Sequence, residues 1–384
     1  MKIPFHKPNL PKSLDAVYLE SLKRGWLTTG SIVKKFENEL KRYLKSDFVV
    51  LLNSCTAGLH LSLLAKGFSK GDEFLLPTLT FVSTIECGEY LGLKPNLIDC
   101  KKNSFLMDLN KVEDLLKKNN KIKAILPMHY GGEPVNMKQV TFLAKKYDLF
   151  VLNDAAHALE TESDNIKIGN TDYASAFSFY ANKNITTGGE GGAVSTNNEK
   201  IAKKIKKLSL HGISKDGWSR FKENGNWEYD ITELGYKYNL TDLAASFGLW
   251  QFKNIDNWSI KRKLIAEKYL LLLSNIEGLK LPEKKSGHAW HLFVIRINQN
   301  YWKITRDEII QKLNTKGIGL AVHYKPIHHL SHYKKNYELN NDDFLNANKL
   351  FNSIISLPIY PLLKDSEVEY ICNSIIELYS EFQT

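Results

Sequence analysis

The 384-residue sequence has few cysteines and no long hydrophobic run. Its four cysteines, Cys55, Cys87, Cys100 and Cys372, include no Cys-x-x-Cys pair, which argues against a zinc site and a disulfide scaffold and fits a reducing cytoplasm. No apolar run approaches the ~20 residues needed to cross a bilayer, and residues 1–8 lack the apolar core of a signal peptide. We therefore expect a cytoplasmic protein with no metal site and no membrane partner.

The sequence also lacks a concentrated basic patch, although its formal net charge is +10. Lysines are spread along the chain and mixed with acidic residues. A nucleic-acid-binding protein would concentrate them in one arm or helix, so we expect no nucleic-acid partner. Attraction for a small molecule that carries phosphate remains open.

What the first half does have is a regular alternation of strand and helix patterns. Strands are predicted at residues 48–52, 73–77, 95–99, 123–127 and 149–153, and helices at residues 14–23, 33–44, 57–65, 81–91, 109–118 and 137–147. This alternation predicts an α/β fold with a large mixed, mostly parallel sheet. Ligands of such sheets bind beyond the carboxyl ends of the strands.

The pattern changes in the second half. Helices are predicted at residues 201–208, 243–252, 260–273, 305–316, 344–353 and 366–382, and strands at residues 291–297 and 320–324. We predict a large α/β domain over residues 1–255 and a smaller α+β domain over residues 256–384. The segment 211–236 is too long for a simple connection and is either functional or mobile.

One lysine, Lys183, has an unusual sequence context. It follows a predicted strand and precedes a turn that contains Gly188 and Gly189. Glycines let the backbone approach a flat ligand, and a desolvated lysine amine can lose its proton and condense with an aldehyde. The alternative is a lysine in an ordinary surface loop. This stretch alone supports both interpretations equally.

Pyridoxal phosphate chemistry would need further groups around that lysine. A carboxylate must keep the pyridine nitrogen protonated, and Asp154 follows a buried strand, although it could instead cap a helix. The helix that begins after residues 53–56 offers amides to a phosphate, although Ser54 or Thr56 could simply be its cap.

Three more residues have a functional and a structural interpretation. His157 could reach the phenolic oxygen of the ring, although a lone histidine is more often structural. Ser178 could bind phosphate or equally be a plain serine beside the core. Phe81 could stack on the ring, although an aromatic residue at a helix start more often belongs to the core.

Motifs along nearly the whole chain resemble those of one family, the DegT/DnrJ/EryC1/StrS aminotransferases. The motifs are Gly25-Trp-Leu-Thr-Thr-Gly30, Asn53-Ser-Cys-Thr-Ala57, Pro77-Thr-Leu-Thr-Phe-Val-Ser-Thr84, Met128-His-Tyr-Gly131, Asp154-Ala-Ala-His157, Phe177-Ser-Phe-Tyr-Ala-Asn-Lys-Asn-Ile-Thr-Thr187, Gly235-Tyr-Lys-Tyr-Asn-Leu-Thr-Asp242, Ala289-Trp-His-Leu-Phe293, Val322-His-Tyr324 and Ser356-Leu-Pro-Ile-Tyr-Pro361. The motifs around Lys183 and Asp154 are the most specific.

This resemblance implies a fold-type-I transferase that is a homodimer with each site at the subunit interface. Lys183 would condense with pyridoxal 5'-phosphate, which becomes pyridoxamine 5'-phosphate during the reaction. The implied cofactor contacts are Thr56, Ala57 and Ser178 to the phosphate, Phe81 to the ring face, Asp154 to the ring nitrogen, His157 to the ring hydroxyl, and Asn239 or Lys237 to the partner subunit's phosphate. The expected substrate-binding residues are Thr29, Trp218, Arg220, His323 and Lys325. His323 and Lys325 could equally be ordinary residues at a strand end of the second domain.

The resemblance also implies the reaction. An amino group would move from an amino acid, by family analogy glutamate, to a keto group of a nucleotide-linked sugar for glycan biosynthesis. Many members have Asn-Tyr-Arg where this chain has Lys237-Tyr-Asn239, and the latter is similar to the branches that aminate carbon 4. The alternatives are amination at carbon 3, a non-catalytic regulator, and a sugar dehydratase. The family's sugar 3-dehydratases replace the lysine with histidine, so Lys183 argues against the last.

Overall fold

The structure, a computed structural model, describes residues 1–213 and 228–384. The strands are β1 (Phe48–Leu52), β2 (Glu73–Pro77), β3 (Lys94–Ile98), β4 (Ile122–Ile125), β5 (Phe150–Asp154), β6 (Glu162–Ser163), β7 (Ile166–Lys167), β8 (Ala174–Ser178), β9 (Gly192–Thr196), β10 (Leu279–Lys280), β11 (Phe293–Ile297) and β12 (Ile354–Leu357). The helices are α1 (Leu14–Arg24), α2 (Ser31–Leu44), α3 (Cys55–Lys66), α4 (Ser83–Glu89), α5 (Leu109–Leu116), α6 (Met137–Tyr147), α7 (Glu199–Leu208), α8 (Asp242–Phe252), α9 (Ile255–Leu272), α10 (Arg306–Thr315), α11 (Ser331–Asn336), α12 (Leu345–Ser353) and α13 (Asp365–Phe382).

Within the described ranges, seven strands form the main sheet in the order β1-β9-β8-β5-β4-β2-β3. The pairs β2–β3, β2–β4, β4–β5 and β5–β8 are parallel, whereas β9 is antiparallel to both β8 and β1. The predicted mixed, mostly parallel sheet is therefore confirmed. Its strands are nearly continuous apolar runs because helices cover both faces of a parallel sheet.

Helix α2 illustrates how the local pattern determines the packing. Ile32, Val33, Phe36, Leu40 and Leu44 recur every three or four residues and are all buried. They form one face of the helix, which packs against a core that includes residues of β1, β8 and β9. None of the described helices is long and apolar enough to cross a membrane.

The C-terminal part has its own core around a second sheet, in which β11 pairs antiparallel with β10 and β12. Its largest buried side chains include Tyr269, Phe293 and Trp302. The N-terminal residue Ile3 also lies in this core, and it bridges to Ile318 in a parallel sense. The domain boundary at residue 255 stays a prediction.

The predicted strand at residues 320–324 is wrong. Only an isolated bridge joins Ala321 to Ser356 of β12. The Tyr130 hydroxyl takes up the backbone carbonyl of His323, which a ladder would use, and the His323 side chain is held separately by the Ser356 hydroxyl, 2.9 Å from its Nδ1. The alternating pattern of this segment reflects contacts with the site rather than strand pairing.

Candidate active site

Three of the predicted site residues, Asp154, Ser178 and Lys183, lie at the carboxyl ends of two neighbouring strands of the main sheet. Asp154 is the last residue of β5 and pairs with Ala176 of the neighbouring strand β8, which ends at Ser178. Lys183 lies in the loop that follows β8. Because parallel strands deliver their ends to one edge, three residues distant in sequence come together there.

The environment of Lys183 lowers the pKa of its amine to about 8. Burial is the main cause, because an ammonium ion loses its hydration, and the nearby Cys55 and Asp154 oppose the shift. The loop then turns at Gly188 and Gly189, whose φ angles of 94° and 139° favour glycine. Lys183 is thus held in a polar, enclosed loop and is not an ordinary surface lysine.

The lowered pKa predicts how the amine responds to pH. Only the neutral amine has the lone pair that attacks an aldehyde, so its reactive fraction rises as the pH increases through about 8. We expect the rate at which cofactor-free protein takes up pyridoxal phosphate, followed by absorbance, to rise with a midpoint near this value. A midpoint near the ordinary lysine value of 10.5 would show that the amine is not desolvated.

Asp154 is a buried carboxylate without an ion pair among the described residues, and it is 1% exposed. Its Oδ2 accepts a hydrogen bond from the Thr84 hydroxyl at 2.6 Å, and its Oδ1 accepts from the amide of Ala156 at 3.1 Å. Burial raises the pKa of Asp154, and these two donors oppose the rise. No regular helix begins after β5, so Asp154 does not cap one. A cationic ligand would compensate this carboxylate.

His157 is held by two partners. Its Nδ1 accepts from the amide of Gly131 at 3.1 Å, so the ring proton lies on Nε2, which is 2.9 Å from the Tyr324 hydroxyl. Burial, together with the charge of Lys183, keeps the pKa of His157 well below its usual value. His157 is therefore a neutral imidazole that presents an N–H donor.

Tyr324 joins this histidine to a second aromatic side chain, Phe81. The ring of Tyr324 stacks on His157 with centroids 6.0 Å apart and contacts the ring of Phe81 at 5.7 Å. Phe81 is 50% exposed, so part of its surface is accessible to a ligand. It lies in the connection between β2 and α4, since α4 begins at Ser83 and not at residue 81 as predicted.

The start of α3 has free backbone amides. Ser54 is the N-cap, and its hydroxyl accepts from the amide of Ala57 at 3.0 Å. The amides of Cys55 and Thr56 precede the first intrahelical bond and can donate to a ligand. A Cβ on Gly192 would lie 2.4 Å from the Ser54 carbonyl carbon, so only glycine lets β9 approach so closely. Ser178 pairs with Gly192 and is therefore beside the helix start.

Thr29, Asn239 and Lys237 lie near this helix start within one chain. The Asn239 side chain donates to the Thr29 hydroxyl at 2.7 Å, and that hydroxyl donates to the carbonyl of Leu240 at 2.5 Å. The carbonyl of Lys237 lies 3.5 Å from the Asn53 side-chain amide. Any contact of Asn239 or Lys237 with a partner subunit stays a prediction.

The remaining expected substrate residues are placed differently. His323 lies beside Tyr324, with ring centroids 5.0 Å apart, and burial lowers its pKa to about 4. Lys325 is exposed and forms no ion pair with any residue of the described part. Trp218 and Arg220 lie outside the described residues.

The sequence interpretation missed several side chains at the site. Thr84 binds Asp154, Tyr324 binds His157, and Asn184 lies directly after Lys183 with Glu160, Arg262 and His291 around it. Thr84, Tyr324, Asn184 and His291 stand within recognised motifs, so a signal was available. Glu160 and Arg262 carry no motif signal.

Comparison with known proteins supports the family resemblance along nearly the whole chain. A model of the DegT/DnrJ/EryC1/StrS aminotransferase family matches residues 10–376. The spore coat polysaccharide biosynthesis protein SpsC of Bacillus subtilis is 38% identical over 379 residues, which cover 98% of this chain and 97% of SpsC.

Two solved structures resemble the fold closely. The putative sugar aminotransferase Spr1654 from Streptococcus pneumoniae, in its PMP form, has a TM-score of 0.92 at 30% identity and covers 99% of this chain and 100% of its own. PseC of Helicobacter pylori, an aminotransferase involved in the biosynthesis of pseudoaminic acid, has a TM-score of 0.91 at 29% identity over 100% of both chains. The predicted fold-type-I transferase fold is confirmed, and the chain belongs to the DegT/DnrJ/EryC1/StrS aminotransferase family.

Proposed function

We propose that this protein uses pyridoxal 5'-phosphate to move an amino group from an amino acid to a keto group of a nucleotide-linked sugar. The observation that carries the proposal is that Lys183, whose amine has a pKa of about 8, lies at the same edge of the sheet as the buried carboxylate of Asp154. The names of Spr1654 and SpsC support a sugar substrate used for polysaccharide synthesis.

The described residues fit this cofactor. Asp154 is a buried carboxylate that forms no ion pair among the described residues, and a protonated pyridine nitrogen would supply one. The free amides at the start of α3 suit a phosphate, and Gly192 lets β9 lie against Ser54 there. The half-exposed Phe81 suits a flat ring, and the Nε2–H of His157 suits its hydroxyl once the ring hydroxyl replaces Tyr324 as the partner. Thr56, Ala57 and Ser178 complete the proposed phosphate contacts.

The protein groups then have distinct tasks. When bound, the cofactor supplies the aldehyde and an electron-accepting ring. Lys183 would hold the cofactor through its neutral amine and, once freed, would accept and return a proton as general base and general acid. Asp154 would keep a proton on the ring nitrogen by charge attraction. His157, which Tyr324 holds in place, would bind the ring hydroxyl.

The finer specificity belongs to the same proposal. Lys237-Tyr-Asn239 supports carbon 4 as the site of amination, and glutamate as donor rests on family analogy. We assign the sugar nucleotide to Thr29, His323 and Lys325, together with Trp218 and Arg220.

We further propose a cytoplasmic homodimer in which Lys237 or Asn239 reaches the phosphate of the partner's cofactor. The four cysteines are free and buried, which fits a reducing compartment. Asn239 bridges to Leu52 within its own chain, and its contact with the partner's phosphate rests on the family resemblance.

A substrate panel tests the proposed function. UDP-, dTDP- and GDP-linked 4-keto sugars are offered with glutamate, and the product is identified by mass spectrometry and NMR. We expect one nucleotide series to yield an amino sugar with nitrogen at carbon 4 and 2-oxoglutarate in equal amount. Loss of a hydroxyl without gain of nitrogen would instead identify a dehydratase, and a protein that stays colourless with added cofactor would contradict the proposal.

A further inference from the structure

Asn184, the residue after Lys183, forms hydrogen bonds through both ends of its side-chain amide and through its backbone carbonyl. It is 6% exposed. Its Nδ2 donates to both carboxylate oxygens of Glu160 at 2.8 Å, and its backbone carbonyl accepts from Arg262 Nη2 at 2.9 Å. Its Oδ1 lies 2.9 Å from His291 Nδ1. A buried group with this many partners fixes the backbone to which it belongs.

These contacts dictate where the proton of His291 lies. Burial raises the pKa of Glu160, but the Arg262 guanidinium 3.6 Å away and the Asn184 amide oppose that rise and favour the carboxylate, which only accepts hydrogen bonds. Asn184 Nδ2 must then be the donor, so Asn184 Oδ1 is the acceptor. His291 Nδ1 must carry the proton, which leaves a lone pair on His291 Nε2.

His291 also contacts His157, which lies on the proposed cofactor side of the site. The ring of His291 lies 4.3 Å from that of His157, whose Nδ1 accepts from the amide of Gly131. Burial is the main reason that the pKa of each histidine is well below its usual value, and each is further lowered by Lys183. Two neutral imidazoles with opposite, defined tautomers therefore stand side by side next to the lysine loop.

The network also joins two parts of the chain. Glu160 and Asn184 belong to the main-sheet region, whereas Arg262 lies on α9 and His291 directly precedes β11. The buried ions Glu160 and Arg262 are costly to separate once formed, because either one alone would lack its partner. A movement of α9 relative to the main sheet would therefore displace the backbone of Asn184.

We propose that Asn184 is a positioning residue that fixes the Lys183 loop and sets the tautomer of His291. The inference rests on the proposed role of Lys183 as the cofactor lysine. The chain offers a matched control on the other side of that lysine, because the Oδ1 of Asn182 is buried and has no hydrogen-bond partner among the described residues. Asn182→Ala removes an amide next to Lys183 without breaking the network.

The first measurement needs no cofactor. In cofactor-free wild-type protein labelled at histidine with nitrogen-15, NMR reports which ring nitrogen carries the proton. We expect His291 to carry it on Nδ1 and His157 on Nε2, with the His291 preference lost in Asn184→Ala and kept in Asn182→Ala. A proton on Nε2 of His291 in the wild type would overturn the inference.

The second measurement uses the cofactor-loaded enzyme. We expect Asn184→Ala to lower kcat by about 10- to 100-fold, as misplacement of a reacting group does, with KM little changed and the pH titration of the visible cofactor band shifted. Equal losses in Asn182→Ala and Asn184→Ala would overturn the inference. Failure of the proposed function is distinguishable, because wild-type protein would then show no cofactor band while the histidine signals could still be read.

Discussion

Lys183→Ala is expected to abolish transamination, with a loss of at least about 10³- to 10⁴-fold, because the variant has neither the amine that captures the cofactor nor the group that carries the proton. The quantity to measure is the rate of each half-reaction, followed by the absorbance of the bound cofactor. Borohydride reduction of the wild type should attach the cofactor covalently to Lys183, and mass spectrometry of the digested protein locates it.

Two comparisons separate a chemical role from a structural one. Lys183→Arg keeps the positive charge, but a guanidinium stays protonated and cannot act as a base, so it should be as inactive as alanine. A small amine such as methylamine should partly rescue Lys183→Ala, which leaves space for it, and not Lys183→Arg. An active Lys183→Arg variant would show that this residue is not the proton carrier.

Asp154→Asn is expected to lower kcat by about 100- to 1000-fold, the usual cost of losing one electrostatic contact to the reacting system. The amide has almost the same shape, so the change removes the charge that keeps the ring nitrogen protonated. Thr84→Val is the matched control. It removes only the hydroxyl that donates to Asp154 at 2.6 Å and should cause a smaller loss.

The same substitution, Asp154→Asn, should lower the activity but not the stability of the cofactor-free protein. Folding raises the pKa of Asp154 because of burial, so above that pKa the charged carboxylate disfavours the folded state. At neutral pH, cofactor-free Asp154→Asn should therefore unfold at the same temperature as the wild type or higher. Low stability together with full activity in the remaining folded protein would show that Asp154 has a structural role only.

Local patterns predicted most elements of the main sheet. Strands β1 and β2 and helix α6 have the predicted bounds, because alternating or helical spacing of apolar residues and flanking turn residues define them locally. Lys183 and Asp154 were also identified from the sequence, since each follows a buried strand within a specific motif. The resemblance to one family supplied their roles.

Other features depended on contacts between distant parts of the chain. The segment at residues 320–324 alternates like a strand, yet it lies against the site because Tyr130 and Ser356 bind His323. Thr84 binds Asp154 only because the fold brings α4 next to the end of β5. The periodicity of apolar residues describes one segment at a time and cannot predict contacts between distant segments.

By itself, the sequence determined the alternation of strands and helices, the glycine turn after the lysine and the chemical identity of the groups that the reaction needs. These follow from neighbours a few residues apart. Only the tertiary structure decided the strand order, the burial that lowers the Lys183 pKa and the hydrogen-bond partners of His157 and His291. Burial and hydrogen-bond direction are properties of groups that meet across the fold, such as Asn184 with Arg262, and nothing in the local order of residues encodes them.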